Sequence, residues 1–222
     1  MHMPDGLDHL WAKGRQPNQQ RGESLVAHTW QVLVRLADLY RLRPDLPATL
    51  NAPRLWHRLF WACLLHDLGK ATEGFQAAVR KESHRWSKRH YRHEVGSLAF
   101  VHWFFGAEDD DYAWIVAAIA SHHKDAAQIN ADYQEVDDED DDGVADIIGQ
   151  FKPDDIAALW RWLTTCPPLW VRELGLSAAG IELLEAPSEA VVGCARAEGR
   201  MRVHRALRTY RRFIRDLEEG RR

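Results

Sequence analysis

The chain has 222 residues, 45% hydrophobic and 28% charged, which is length and apolar content enough for one well-filled core and excludes wholesale disorder. No apolar run approaches the roughly 18 residues of a membrane span, and Met1 to Leu10 lacks the basic-then-apolar layout of a secretory signal, so a soluble, cytoplasmic protein with no membrane partner is expected. The three cysteines, Cys63, Cys166 and Cys194, are too widely spaced for a disulfide frame or a zinc ribbon, and a net charge of -4 argues against a binder held to nucleic acid by bulk positive charge.

In chain order, Ser24 is a fair N-cap for a first helix carrying Leu25, Thr29, Val32, Leu36 and Leu39 at helical spacing, closed by Pro44, Pro47 and Pro53. Leu55, Leu59 and Ala62 trace a second stripe that ends near Gly69. Val95, Leu98, Val101, Phe104 and Phe105 form a third, ending at Gly106, and Ile115, Ala118 and Ile119 a fourth. The polar, acidic stretch of about 128–150 reads as an exposed loop or insertion. A Trp-rich helix (Ile156 to Leu163) follows, then the breaker pair Pro167 and Pro168, a short segment to Gly175, and a last helix from about Ser188 to Leu217. No alternating stretch is long enough for a convincing strand. The expected fold class is all-α, a single domain over 1–222 with a core of about 24–124 and a C-terminal helical part over 153–222.

The histidines, 12 in all, carry the chemistry. His28 falls on the apolar stripe of the first helix, His66 continues the second with Asp67 beside it, His93 opens the third, and His122 and His123 close the fourth. Several isolated imidazoles and a carboxylate in one core are costly to desolvate. Together they suit a divalent transition metal, because nitrogen and oxygen donors without thiolate favour Mn, Co, Ni, Fe or Zn, with Mg possible. One carboxylate can bridge two such ions about 3.5 to 4 Å apart, the arrangement of two-metal phosphoester hydrolysis. Lys70, three residues after Asp67 and beyond Gly69, is placed to neutralise phosphate charge. Ahead of His93, Arg85, Trp86, Lys88, Arg89, Tyr91 and Arg92 interleave cations with rings, as a path for single-stranded nucleic acid does.

The order His28, then His66-Asp67-Leu68-Gly69-Lys70-Ala71, then Arg92-His93-Glu94, then His122-His123-Lys124 resembles the HD-type nuclease domain of the CRISPR-associated helicase-nuclease of type I systems, from about Ser24 to Lys124. The resemblance implies an HD-domain helical bundle with two metals that cuts single-stranded DNA and works with a helicase portion, in cis or in trans, recruited by a crRNA-guided surveillance complex. By position, His28, His66 and Asp67 would hold one ion, and Asp67, His93, His122 and His123 the other. Lys70 would contact the scissile phosphate. That family also supplies a late aspartate in an Ala-Asp context on a helix; the candidate here is Asp216. No Gly-x-x-x-x-Gly-Lys-Ser/Thr phosphate loop occurs, so unwinding is expected from a partner or from further sequence of a longer helicase-nuclease.

Two other readings fit some of these residues. The His-Asp pair alone also suits HD-superfamily nucleotide phosphohydrolases, although the Arg-His-Glu and His-His elements and Phe75 favour the nuclease. A catalytically incomplete interaction module would instead dock a partner through Asp137 to Asp142 or through the ten arginines of Arg196 to Arg222. A hydrolase using Cys63 as nucleophile is disfavoured by its place on a buried stripe.

Overall fold

The computed structural model describes residues 6–83, 92–123, 126–133, 143–185 and 195–221. The first helix starts where the sequence places its cap: Ser24 Oγ accepts the Ala27 N–H at 3.2 Å, and α1 (Leu25–Leu42) buries Leu25, Thr29, Leu33 and Leu36. Just ahead, β1 (Trp11–Lys13) and β2 (Glu23–Ser24) pair antiparallel, Trp11 opposite Ser24 and Lys13 opposite Glu23. This hairpin is the one departure from an all-α domain among the described residues. Its strands are too short for alternation to show in the sequence.

After the single turn of α2 (Leu46–Thr49), α3 (Leu55–Leu65) is apolar nearly all round, with Trp56, Phe60, Trp61, Leu64 and Leu65 buried, as befits a helix packed between α1 and α6 (Tyr112–Ser121). A 3₁₀ turn (Leu68–Ala71) leads from α3 into α4 (Glu73–Arg80). The third stripe is not one α-helix but a short α5 (His93–Ser97) continued by a 3₁₀ segment (Leu98–Trp103). Buried Asp111, just before α6, fixes where that helix begins: Arg54 Nε and Arg58 Nε each donate to it at 2.6 Å, and Arg54 also forks onto Glu182 at 2.9 and 3.0 Å.

Two sequence expectations need correction. The stretch of about 128–150 is helical at both ends, with α7 (Ala126–Asp132) and α8 (Gly143–Gly149) burying Ile129, Val144, Ile147 and Ile148; those apolar residues are diluted in sequence by the acidic run 137–142, which lies outside the described residues. Nor do Pro167 and Pro168 break the chain. A single helix, α9 (Pro153–Glu173), runs through them, because Trp162, Cys166, Pro167 and Trp170 form one buried face whose packing outweighs the proline penalty of about 3 kcal/mol per residue. The last helix, α10 (Ala195–Glu218), lies on α6, α8 and the 3₁₀ segment, burying Val203, Ala206, Leu207, Tyr210 and Phe213. No described helix is long and apolar enough to cross a membrane.

Candidate metal centre

Both α3 and α6 end on a histidine, and both histidines do the same thing. His66 and His122 are the C-cap residues of their helices, and each ring turns back to the carbonyl three residues earlier, His66 Nδ1 to Cys63 O at 2.8 Å and His122 Nδ1 to Ile119 O at 2.6 Å. A carbonyl oxygen only accepts, so each Nδ1 carries the proton and satisfies a carbonyl left over at a helix end. In the neutral ring Nε2 is then a bare lone pair. Burial holds His122 down at about 4, so this ring is neutral at ordinary pH.

Those lone pairs face a carboxylate. Asp67, 2% exposed at the head of the 3₁₀ turn, has Oδ2 at 3.1 Å from both His66 Nε2 and His28 Nε2, while Oδ1 lies 3.1 Å from His93 Nε2 and 3.8 Å from His122 Nε2. His123 Nε2 sits 3.1 Å from His93 Nε2. Asp67 Oδ1 and His122 Nε2 are buried without a well-formed hydrogen bond. Lone pairs set against an anion in a desolvated site repel unless a cation lies between them. The ligand atoms form two groups, His28, His66 and Asp67, and His93, His122 and His123, each with its atoms within 4.8 Å of one another. Asp67 turns one oxygen toward each group. The donor set therefore fits divalent metal ions.

Further carboxylates stand behind the rings. Glu23 Oε1, on β2, is 3.4 Å from His28 Nδ1, and its other oxygen is held by Lys13 Nζ at 2.9 Å. Burial alone would raise the Glu23 carboxyl, but Lys13 and His28 outweigh it and hold it below its ordinary value. Glu94, buried and paired with Arg92 at 3.2 Å, has Oε2 at 3.6 Å from His93 Nδ1. Carboxylates placed behind ligand imidazoles set ring orientation and raise basicity. Asp67 itself is desolvated, which raises its carboxyl, but His28, His66 and His93 outweigh this and hold it far below the usual carboxylate range.

The backbone explains how α5 reaches the cluster. A Cβ on Gly69 would collide with the His93 carbonyl oxygen and lie 2.8 Å from Ser97 N, and Gly69 Cα is within 3.2 Å of where a Cβ on Gly96 would stand. Ser97 Oγ accepts the Gly69 N–H at 2.8 Å and lies 2.6 Å from His66 O and 2.9 Å from His93 O, tying both ligand-bearing segments to one hydroxyl. Lys70 does not point into water: its Nζ reaches Asp67 Oδ2 at 2.8 Å and lies 5.5 Å from the Phe75 ring centroid.

A family description matches residues 11–194, and it reads "Cas3, HD domain". The chain belongs to the Cas3 HD domain family. Membership gives this Cas3 HD domain a metal-dependent, nuclease-type hydrolase role in CRISPR systems. No curated protein and no solved structure matches it.

The six expected ligands, His28, His66, Asp67, His93, His122 and His123, stand together, with Lys70 among them. Asp216 does not join them; it sits near the end of α10 with Arg221 at 3.6 Å, because α10 packs its apolar face on α6 and leaves its last turn at the surface. Among the described residues the two ligand groups contain no late aspartate. Of the expected nucleic-acid path, Arg85, Trp86, Lys88, Arg89 and Tyr91 lie outside the described residues, and Arg92 pairs with Glu94. Sequence reading missed Glu23 and Ser97. Glu23 stands immediately before the N-cap Ser24, and Ser97 one helical turn after His93, the signals that were available. Burial pushes the Cys63 thiol up to about 12, in keeping with a core residue rather than a nucleophile.

Proposed function

We propose that this Cas3 HD domain holds two divalent transition-metal ions, one in each ligand group with Asp67 shared, and cleaves phosphodiester bonds of single-stranded DNA in type I CRISPR interference. The observation that carries this is the convergence of the Nε2 atoms of His28, His66, His93 and His122 on the two oxygens of one buried carboxylate, with the tautomers of His66 and His122 set by helix-end carbonyls. Ions bound there would polarise a phosphoryl oxygen and make a water nucleophile available at neutral pH. The chain's own residues do the rest. Asp67 orients both halves of the site, Glu23 holds His28 in the ligating orientation, Glu94 places a negative charge behind His93, and Lys70 sets a cation beside Asp67 where the negative charge of a phosphoester would gather.

Single-stranded DNA is favoured over a mononucleotide by the alternation of cations and rings in Arg85, Trp86, Lys88, Arg89, Tyr91 and Arg92, immediately before a ligand in sequence. A helicase portion, in cis or in trans, and a crRNA-guided complex would deliver that strand. Asp67→Ala is expected to abolish cleavage of circular single-stranded DNA and to lower bound metal by elemental analysis, while the parent's cleavage stops on adding chelator. Full activity in the variant, or hydrolysis of a nucleotide panel with no cutting of DNA, overturns the reading.

A further inference from the structure

Helix α10 lies beyond the residues that match the family, and its two faces differ sharply. Val203, Ala206, Leu207, Tyr210 and Phe213 are buried on the domain. On the other face Arg205, Arg208, Arg212 and Arg215 are exposed, spaced three, four and three residues apart, so they form one stripe about 15 Å long. From Arg200 to Arg215 there are seven arginines and no acidic residue, in a chain whose net charge is -4. Like charges at this spacing weaken a helix, and a merely solvated face is ordinarily built from mixed signs. Beside the C-terminal half, Trp114 on α6 is 38% exposed, its ring 4.9 Å from that of Phe213.

We infer that the α10 arginine stripe is a nucleic-acid docking surface that grips the phosphate backbone of a single strand. Guanidinium groups match phosphate oxygens with two parallel N–H donors, and a row of them beside an exposed indole is the combination that single-strand sites use. The choice of nucleic acid as partner rests on the nuclease reading above. None of the stripe's four arginines belongs to either ligand group.

The test is binding of a fluorescent oligo-dT to the full chain in EDTA, so that neither cleavage nor bound metal contributes, at several salt concentrations. For Arg205→Gln/Arg208→Gln/Arg212→Gln/Arg215→Gln the expected result is a loss of affinity of roughly tenfold or more at low salt, with the slope of log affinity against log salt reduced by about 0.7 for each phosphate contact removed. The matching four-lysine variant is expected to retain most of the affinity, and circular dichroism to show both variants folded. Parent-like affinity and slope in the glutamine variant overturn the inference, as does failure of the parent to bind. Unchanged oligo-dT binding with lost binding of poly-L-glutamate assigns the stripe to an acidic protein and also overturns it. A parent that binds through the stripe yet cuts nothing when metal-loaded would sink the nuclease reading and leave the docking surface standing.

Discussion

Single atoms decide how tightly this site is built. The contact of Gly69 with the His93 carbonyl leaves no room for a side chain, so Gly69→Ala must push α5 away from the 3₁₀ turn. We expect a stability loss of roughly 2–4 kcal/mol by urea unfolding, together with a lower metal content from the His93 group. An alanine variant with parent stability and full metal would show that the close approach is unimportant. Glu23→Gln probes the carboxylate behind His28. It keeps shape and loses charge, so metal affinity by calorimetry is expected to fall roughly tenfold with no change in fold. Unchanged affinity would remove Glu23 from the site.

At the scale of elements, the recurring device is a helix that ends on a histidine of the proposed metal site. Capping by His66 and His122 completes the ends of α3 and α6 as helices and at the same time aims both Nε2 atoms at Asp67, so helix length and the geometry of the proposed site are one constraint. The clamp of Arg54 and Arg58 on Asp111 fixes the start of α6, and through it the height at which His122 and His123 arrive. In α9 local preference loses to packing. Pro168 is exposed and is not among the residues of the buried face, so Pro168→Ala, which restores an N–H for the Thr164 carbonyl, is expected to stabilise the protein by about 1 kcal/mol or more in urea unfolding. A destabilised variant would mean that a proline-set bend is itself needed for packing.

For the whole molecule, buried histidines tie stability to pH. Burial, aided by Arg202 and Arg205, holds His102 down at about 4, and burial with Arg54 lowers His57; His122 is depressed in the same direction. The unfolded chain takes up protons near the ordinary 6.5 while the folded chain resists them, so this part of the stability is full above about 6.5 and is lost as pH falls toward 4. Asp111 adds a second, more acidic stage. Burial raises its carboxyl, but Arg58 and Arg54 outweigh that and lower it, and their contribution disappears only as pH falls through its depressed value. Urea midpoints measured in EDTA are expected to drop between pH 7.5 and 4.5 by an amount on the order of 5 kcal/mol, nearly half of it from each of His102 and His122; a flat profile would contradict the desolvation of these rings.

Legibility in the sequence followed the range of the interaction involved. The Ser24 cap, most of each apolar stripe and the positions of His28, His66, Asp67, His93, His122 and His123 along them are local, periodic features, readable because a helix repeats its faces every few residues; Leu39 and Ala118, expected on those stripes, are exposed, and Leu33, Val116 and Ala117 are buried instead. The sequence by itself determined an all-helical core and the donor types that converge on it. Only the tertiary structure decided that α9 passes through Pro167 and Pro168, that α7 and α8 put Ile129, Val144, Ile147 and Ile148 into the core, that Lys70 turns onto Asp67, that Glu23 and Ser97 stand at the cluster, and that Asp216 stands apart. Each of those outcomes depends on contacts between segments distant along the chain, whose energy exceeds local preference and leaves no periodic trace in the order of residues.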